Sequence, residues 1–149
     1  MTRILFFCLG NICRSPMAEF IMKDLINRRG LSDRFLIASA GTSDEEEGNP
    51  LYPPARRLLD RQGIAHAPHA ARQFVPGDLE AYDLLVGMES RNLTNARRLL
   101  GDSPKFRRLL DYTGRPGDIA DPWYTGDFER AYRDILEGCS ALLDQLIGR

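Results

Sequence analysis

The sequence predicts an α/β fold: a single domain, residues 1–149, on a doubly wound, four-stranded parallel sheet with helices on both faces. Three observations lead there. Strand-like and helix-like patterns alternate along the chain, strand first and helix last. The first strand pattern, residues 3–8, is continuously apolar through Ile4-Leu5-Phe6-Phe7, as in a strand buried on both faces of a parallel sheet. It runs straight into a short turn, Cys8 to Pro16, that opens a helix. Ligands of such sheets bind outside the carboxyl ends of the strands, where the strand order reverses, and this turn is at such an end.

The elements follow in order. Ser15 reads as an N-cap and Pro16 as the first helical residue. The helix from Met17 to about Arg29 has an apolar stripe at Met17, Phe20, Ile21 and Leu25, widened by Met22 and Ile26. Arg28, Arg29 and Gly30 end it: cations in the last turn, then glycine. Phe35 to Ser39 is a second strand, stopped by Ala40-Gly41-Thr42-Ser43. Asp44 to Pro50 is an acidic loop. Pro53-Pro54 open a helix carrying Ala55, Leu58 and Leu59 and closed by Gly63. Residues 66–73 have no clear period and read as a short strand or loop. Asp78-Leu79 is a brief turn or helical piece, and Tyr82 to Gly87 a third strand. Ser90 to Leu100 is helical, ending at Gly101, and Phe106 to Leu110 is a fourth strand. Asp111 to Thr125 reads as one long loop. The last helix, about Asp127 to Ile147, repeats apolar residues near period 3.6 through Phe128, Ala131, Tyr132, Ile135, Cys139, Leu142 and Leu146.

Composition narrows the function. Twenty Lys and Arg against 21 Asp and Glu give a net charge of −1, which argues against nucleic-acid partners held by bulk charge. No apolar run approaches the roughly 18 residues of a membrane span, so no membrane partner is expected. The N-terminal apolar stretch is too short for a signal-peptide core. Three cysteines, two in one turn, are not a disulfide framework and fit a reducing, cytoplasmic setting. With two histidines they show no zinc spacing, so neither metal nor cofactor is expected.

The chemistry concentrates in Cys8-Leu9-Gly10-Asn11-Ile12-Cys13-Arg14-Ser15-Pro16. A strand-to-helix turn places several backbone N–H groups around one point at the positive end of a helix dipole, which suits a phosphate. Here the donors run from Leu9 through Gly10, Asn11, Ile12, Cys13 and Arg14 to Ser15. Arg14 offers two parallel N–H bonds to two oxygens, a geometry lysine lacks. Cys8 then lies beneath the phosphorus, in line with the leaving group, its thiolate stabilised by the same donors and by the Ser15 hydroxyl. The leaving oxygen needs a proton, and Asp121, in Asp118-Ile119-Ala120-Asp121-Pro122-Trp123-Tyr124, is the candidate acid. Pro122 stiffens that loop, and Trp123 and Tyr124 supply apolar walls for an aromatic substrate. Taken singly these features are bland: C-x5-R recurs by chance, a lone cysteine is more often core, and Asp-Pro is usually a turn. Their combination points to a catalytic or oxyanion-binding turn.

At these residues the chain resembles the low-molecular-weight protein tyrosine phosphatases. Further matches are Ser39-Ala40-Gly41-Thr42, His69-Ala70-Ala71-Arg72-Gln73, Tyr82-Asp83-Leu84-Leu85 and Asp121-Pro122-Trp123-Tyr124, so the resemblance covers the whole chain. It implies a metal-independent, two-step mechanism with Cys8 as nucleophile, Arg14 holding phosphate and Asp121 as acid, then base. It implies that Asn11, with His69 and neighbours near Ser43, holds the loop in shape, and that Ser15 activates Cys8. It implies a substrate cleft formed by Ile12, Glu46, Trp123 and Tyr124, phosphotyrosine-containing proteins as partners, and tyrosine kinases acting on Tyr124. For Cys13 it implies a reversible disulfide with Cys8, beside the plainer reading of a space-filling residue. Cys139 reads as core and His66 as surface. Two departures stand out: the lip at Glu45-Glu46-Glu47 is acidic and lacks an aromatic, and Glu89 stands where aspartate is expected. The alternatives are a protein arginine phosphatase, a thioredoxin-coupled arsenate reductase, and a non-catalytic phosphate-binding module. The arginine phosphatase carries threonine at the Ile12 position; the reductase needs two further redox cysteines.

Overall fold

The computed structural model describes residues 1–148. Its strands are β1 (Thr2–Cys8), β2 (Phe35–Gly41), β3 (Leu84–Gly87) and β4 (Phe106–Arg108). Its helices are α1 (Arg14–Arg28), α2 (Pro53–Arg61), α3 (Asp78–Ala81), α4 (Ser90–Leu100), α5 (Pro122–Thr125) and α6 (Phe128–Leu146). The strands form one parallel sheet in the order β2-β1-β3-β4. The chain goes from β1 to one side, then crosses to the other, so β1 marks the reversal of strand order and its carboxyl end is the ligand position.

Side chains on β1 alternate between two cores. Ile4 and Phe6 join Val86, α1, α2 and α6 on one face. Leu5 and Phe7 join Leu85, Phe74, Phe106 and the apolar sides of α3 and α4 on the other. Ile4 through Phe7 are fully buried, and each such side chain contributes roughly 1.5–3 kcal/mol of transfer free energy. The Phe7 ring meets Phe74 and Phe106 at centroid distances of 5.0 and 6.1 Å. Helices thus cover both faces, as the alternating pattern predicts. Cys139 is core: its Sγ lies 3.8 Å from the Ala18 carbonyl oxygen where α6 packs on α1.

Four local readings differ from the sequence. The helix after the Cys8 turn begins at Arg14, not Met17, with Cys13 rather than Ser15 in the cap position. Pro16 is therefore deeper in the first turn, where its missing N–H still costs no intrahelical bond. The fourth strand stops at Arg108, because Leu109 and Leu110 turn into the core as a 3₁₀ segment, Leu109–Tyr112. The stretch from Asp111 to Thr125 is broken by that segment and by α5, both too short to leave a periodic signature. His66 is half-buried against Phe20, bonded to Asp60 at 2.7 Å, rather than simply at the surface.

Candidate active site

The loop from β1 to α1 is built so that its own amides stay free. Among the described residues, no backbone N–H from Leu9 to Ser15 donates to a protein acceptor; the first helical bond runs from Met17 N to Cys13 O. Ser15 does not cap because its hydroxyl is used inside the fold. It lies 3.0 Å from Cys8 Sγ and 3.3 Å from the Ala40 carbonyl oxygen, and it accepts from Asn11 Nδ2 at 2.8 Å. Its one proton can go to sulfur or carbonyl, and a thiolate is the stronger acceptor.

Asn11 fixes the loop. It has φ of 60°, the one positive value outside glycine among the described residues, and it is fully buried. Its Nδ2 donates to Ser15 Oγ and, at 3.0 Å, to Ser39 Oγ; its Oδ1 accepts from Arg72 N at 3.1 Å; its carbonyl oxygen lies 2.7 Å from His69 Nε2. Ser39, rather than Ser43, is the serine on Asn11; Ser43 reaches the loop through its backbone N–H, which donates to Leu9 O. Arg72 is held in turn by a bidentate pair with buried Asp78, at 3.0 and 3.1 Å. Gly41 is required by close approach: a Cβ there would lie 2.7 Å from Leu9 O and 3.3 Å from Asn11 Cβ.

Arg14 is 1% exposed and joins the two halves of the site. Its Nη1 donates to Ile119 O at 2.8 Å, and its Nη2 lies 3.4 Å from both Glu89 Oε1 and Asp121 Oδ2. Glu89 caps α4, with its side chain and Asn92 exchanging bonds in a capping box, so this Arg14 contact comes from a rigid helix start. Asp121 divides its carboxylate. Oδ1 caps α5 through Trp123 N at 3.0 Å; Oδ2 faces Arg14.

Cys8, Cys13, Arg14 and Asp121 line one cleft of about 150 Å³ with Leu9, Gly10 and Ile12. Trp123 and Tyr124 of α5 line it too, 52% and 78% exposed. Ser43, Glu45 and Glu46 come to it from the loop after β2. Tyr52 supports Trp123 from behind, with centroids 4.8 Å apart, and rests on Phe128. Burial, then the nearby charges of Cys8, Asp121 and Glu46, push the Cys13 thiol up to about 12, against the pull of Arg14. All three cysteines are free thiols.

Sequence reasoning missed Ser39, Tyr52, Ile119 and Arg72 as parts of the site, and Ser43 as cleft lining, whereas Glu45 lines the cleft as part of the expected acidic lip. Ile119 acts through its carbonyl, which leaves no trace in residue type. Ser39 and Arg72 lie within stretches that match the family, and that was the available signal. Tyr52, an aromatic directly ahead of Pro53-Pro54, carried none.

Fold and site define a class: a parallel α/β protein with a cysteine-bearing loop of free amides at the switch of strand order. Within that class the chain belongs to the low molecular weight phosphotyrosine protein phosphatase family, whose model matches residues 3–148. Low molecular weight protein-tyrosine-phosphatase YfkJ of Bacillus subtilis is 40% identical over 147 residues, 96% of this chain and 94% of that protein. The low molecular weight phosphotyrosine protein phosphatase of Rattus norvegicus is 34% identical over 149 residues, 95% of this chain and 94% of that one. The crystal structure of YfkJ superposes with a TM-score of 0.94 at 38% identity, covering 100% of this chain and 98% of that one. A drosophila arginine phosphatase superposes with a TM-score of 0.88 at 31% identity, covering 98% of each chain.

Proposed function

We propose that residues 1–149 act as one catalytic domain that hydrolyses phosphotyrosine monoesters without a metal. The observation that carries this reading is the run of unpartnered amides from Leu9 to Ser15 around a cysteine that Ser15 contacts. In the first step Cys8 Sγ attacks phosphorus, an S–P bond forms, and the aryl P–O bond breaks. Asp121 passes the proton on Oδ2 to the leaving phenol oxygen, since Oδ1 is occupied in capping α5. In the second, water attacks phosphorus, Asp121 takes its proton, and the S–P bond breaks to return thiolate and inorganic phosphate. Arg14 and the loop amides hold the equatorial oxygens throughout. Asn11, His69 and Ser15 keep the loop in shape, and Ile12, Glu46, Trp123 and Tyr124 receive the rest of the substrate.

The partners of this reading are phosphotyrosine-containing proteins, and the exposure of Tyr124 supports its own phosphorylation by a tyrosine kinase. Among the described residues no helix is long and apolar enough to cross a membrane; a cytoplasmic location fits the free thiols. A phosphoarginine substrate is the second reading, favoured by the likeness to the drosophila arginine phosphatase. The aliphatic Ile12 side chain in the cleft supports a phenyl ring over a guanidinium. Arsenate reduction fits less well, because Cys139, the one thiol outside the loop, is sealed between α6 and α1. Asp121 in the cleft beside Arg14 argues against a binding module without chemistry.

The test is hydrolysis of p-nitrophenyl phosphate in EDTA, followed by kcat/KM on matched phosphotyrosine and phosphoarginine peptides. Activity is expected with EDTA present, lost in Cys8→Ser, and higher on phosphotyrosine. Full activity in Cys8→Ser removes the mechanism. Asp121→Ala is expected to slow poor leaving groups most; equal slowing of good and poor ones removes Asp121 as the acid.

A further inference from the structure

The cleft rim carries charge that the proposed reaction does not use. Glu45 and Glu46 line the same cleft as Cys8 and Arg14. They sit in the run Asp44 to Glu47, and among the described residues none of those four carboxylates has a Lys, Arg or His partner within ion-pair distance. The cleft's own cation, Arg14, is buried and already paired with Glu89 and Asp121. The rim is therefore locally acidic although the whole chain is nearly neutral.

Glu46 is also held in place. Its Oε1 accepts from Asn49 Nδ2 at 3.0 Å, a neutral partner that orients the carboxylate without cancelling its charge. Its Cγ lies 3.2 Å from where a Cβ on Gly10 would be, so its stem rests on the nucleophile loop. The loop bearing it is tied to the segment that supports Asn11, with Gly48 N donating to Ala71 O and Ala71 N to Asn49 O, both at 2.8 Å. An ordinary solvated acidic loop would have none of this orientation, nor a place in the catalytic cleft. The field of Glu46 reaches the loop itself, where it is one of the charges that keep Cys13 protonated.

We propose that this rim selects phosphotyrosine flanked by lysine or arginine and disfavours phosphotyrosine flanked by aspartate or glutamate. The inference rests on the phosphotyrosine reading above. With phosphate at Cys8 and the ring beside Ile12 and Trp123, the peptide chain has to cross the mouth of the cleft. Neighbouring residues then project over Glu45 and Glu46. A cation there meets two uncompensated carboxylates, that of Glu46 held in position by Asn49, whereas an anion meets repulsion. Much of the effect is on encounter, so it is screened by salt.

The experiment measures kcat/KM at low and at 0.5 M salt on one phosphotyrosine peptide framework with Lys, Ala or Glu on either side of the phosphotyrosine. p-Nitrophenyl phosphate serves as the control for chemistry. Lys-flanked peptides are expected to exceed Glu-flanked ones by about tenfold at low salt, with the ratio falling several-fold at high salt. In Glu45→Gln/Glu46→Gln the ratio is expected to shrink to about threefold or less, whatever happens to the absolute rates. Equal kcat/KM across the series, with phosphotyrosine peptides turned over well, overturns the inference and leaves the activity standing. A preference that survives intact in the double variant overturns its assignment to the rim. No turnover of either phosphotyrosine peptides or p-nitrophenyl phosphate overturns the proposed activity, and the inference with it.

Discussion

Arg14 Nη1 donates to the carbonyl oxygen of Ile119 at 2.8 Å, just ahead of Asp121. One buried side chain thus ties the nucleophile loop after β1 to the loop that carries the candidate acid. It does so with one arm of a planar fork, while the other arm lies near Glu89 and Asp121. Lysine has a single ammonium on a flexible stem and cannot span Ile119 O and two phosphate oxygens together. Arg14→Lys is therefore expected to lower kcat by about 100-fold or more, the usual cost of removing one well-placed donor from a developing anion. Steady-state hydrolysis of p-nitrophenyl phosphate checks it; a variant within threefold of the wild type would show that the fork is dispensable.

Asn11 combines a left-handed backbone with side-chain bonds to Ser15, Ser39 and Arg72 N. Two variants separate these contributions. Asn11→Gly keeps easy access to φ of 60° but loses the bonds; Asn11→Ala loses the bonds and is strained as well. Both leave buried partners unpaired, at about 1–3 kcal/mol for each unsatisfied group. Ala is expected to be less stable than Gly by about 1 kcal/mol, which urea unfolding measures. Equal stabilities would remove backbone strain from the account.

The same residues mark what could be read in advance. β1 and α6 were legible because each imposes a pattern on side chains: unbroken apolarity through Ile4 to Phe7, and a 3.6 period from Phe128 to Leu146. The thiol, the fork and the acid were legible because their chemistry needs those residue types. Ile119 was not, since a carbonyl acceptor can come from any residue. Ser15 misled for a related reason: its type fits a cap, but tertiary partners at Cys8 and Ala40 took the hydroxyl. Five- or six-residue periodicity windows do not exist in α5 or in Leu109–Tyr112, so one long loop was the natural reading there.

Two glycines offer a contrast between geometry and stability. A Cβ on Gly138 would sit 2.5 Å from Leu109 Cγ, inside the core between α6 and the 3₁₀ segment. Gly138→Ala is expected to destabilise by about 1–3 kcal/mol through overpacking. Its activity per folded molecule should stay near wild type, because Leu109 does not line the cleft. A Cβ on Gly41 meets backbone instead, Leu9 O at 2.7 Å, which cannot rotate away. Gly41→Ala should displace the nucleophile loop and lower activity per folded molecule about tenfold or more, the scale of a misplaced catalytic group. Thermal unfolding and active-site titration distinguish the two; equal activity losses would overturn the contrast.

The three thiols should differ sharply in reactivity. Alkylation requires the thiolate. Burial and neighbouring negative charge push the Cys13 thiol up to about 12, and burial alone pushes the Cys139 thiol up. A raised pKa favours the protonated form, so Cys13 stays a thiol at neutral pH. Cys8 has the Ser15 hydroxyl 3.0 Å away and the free amides of the loop around it. Iodoacetamide between pH 6 and 8 is thus expected to add one carbamidomethyl group, at Cys8, with loss of activity in step and protection by inorganic phosphate. Unfolded in urea, the chain should take up three. Peptide mapping by mass spectrometry reads this directly, and labelling of Cys13 as fast as Cys8 at neutral pH would show that its surroundings do not hold the proton on.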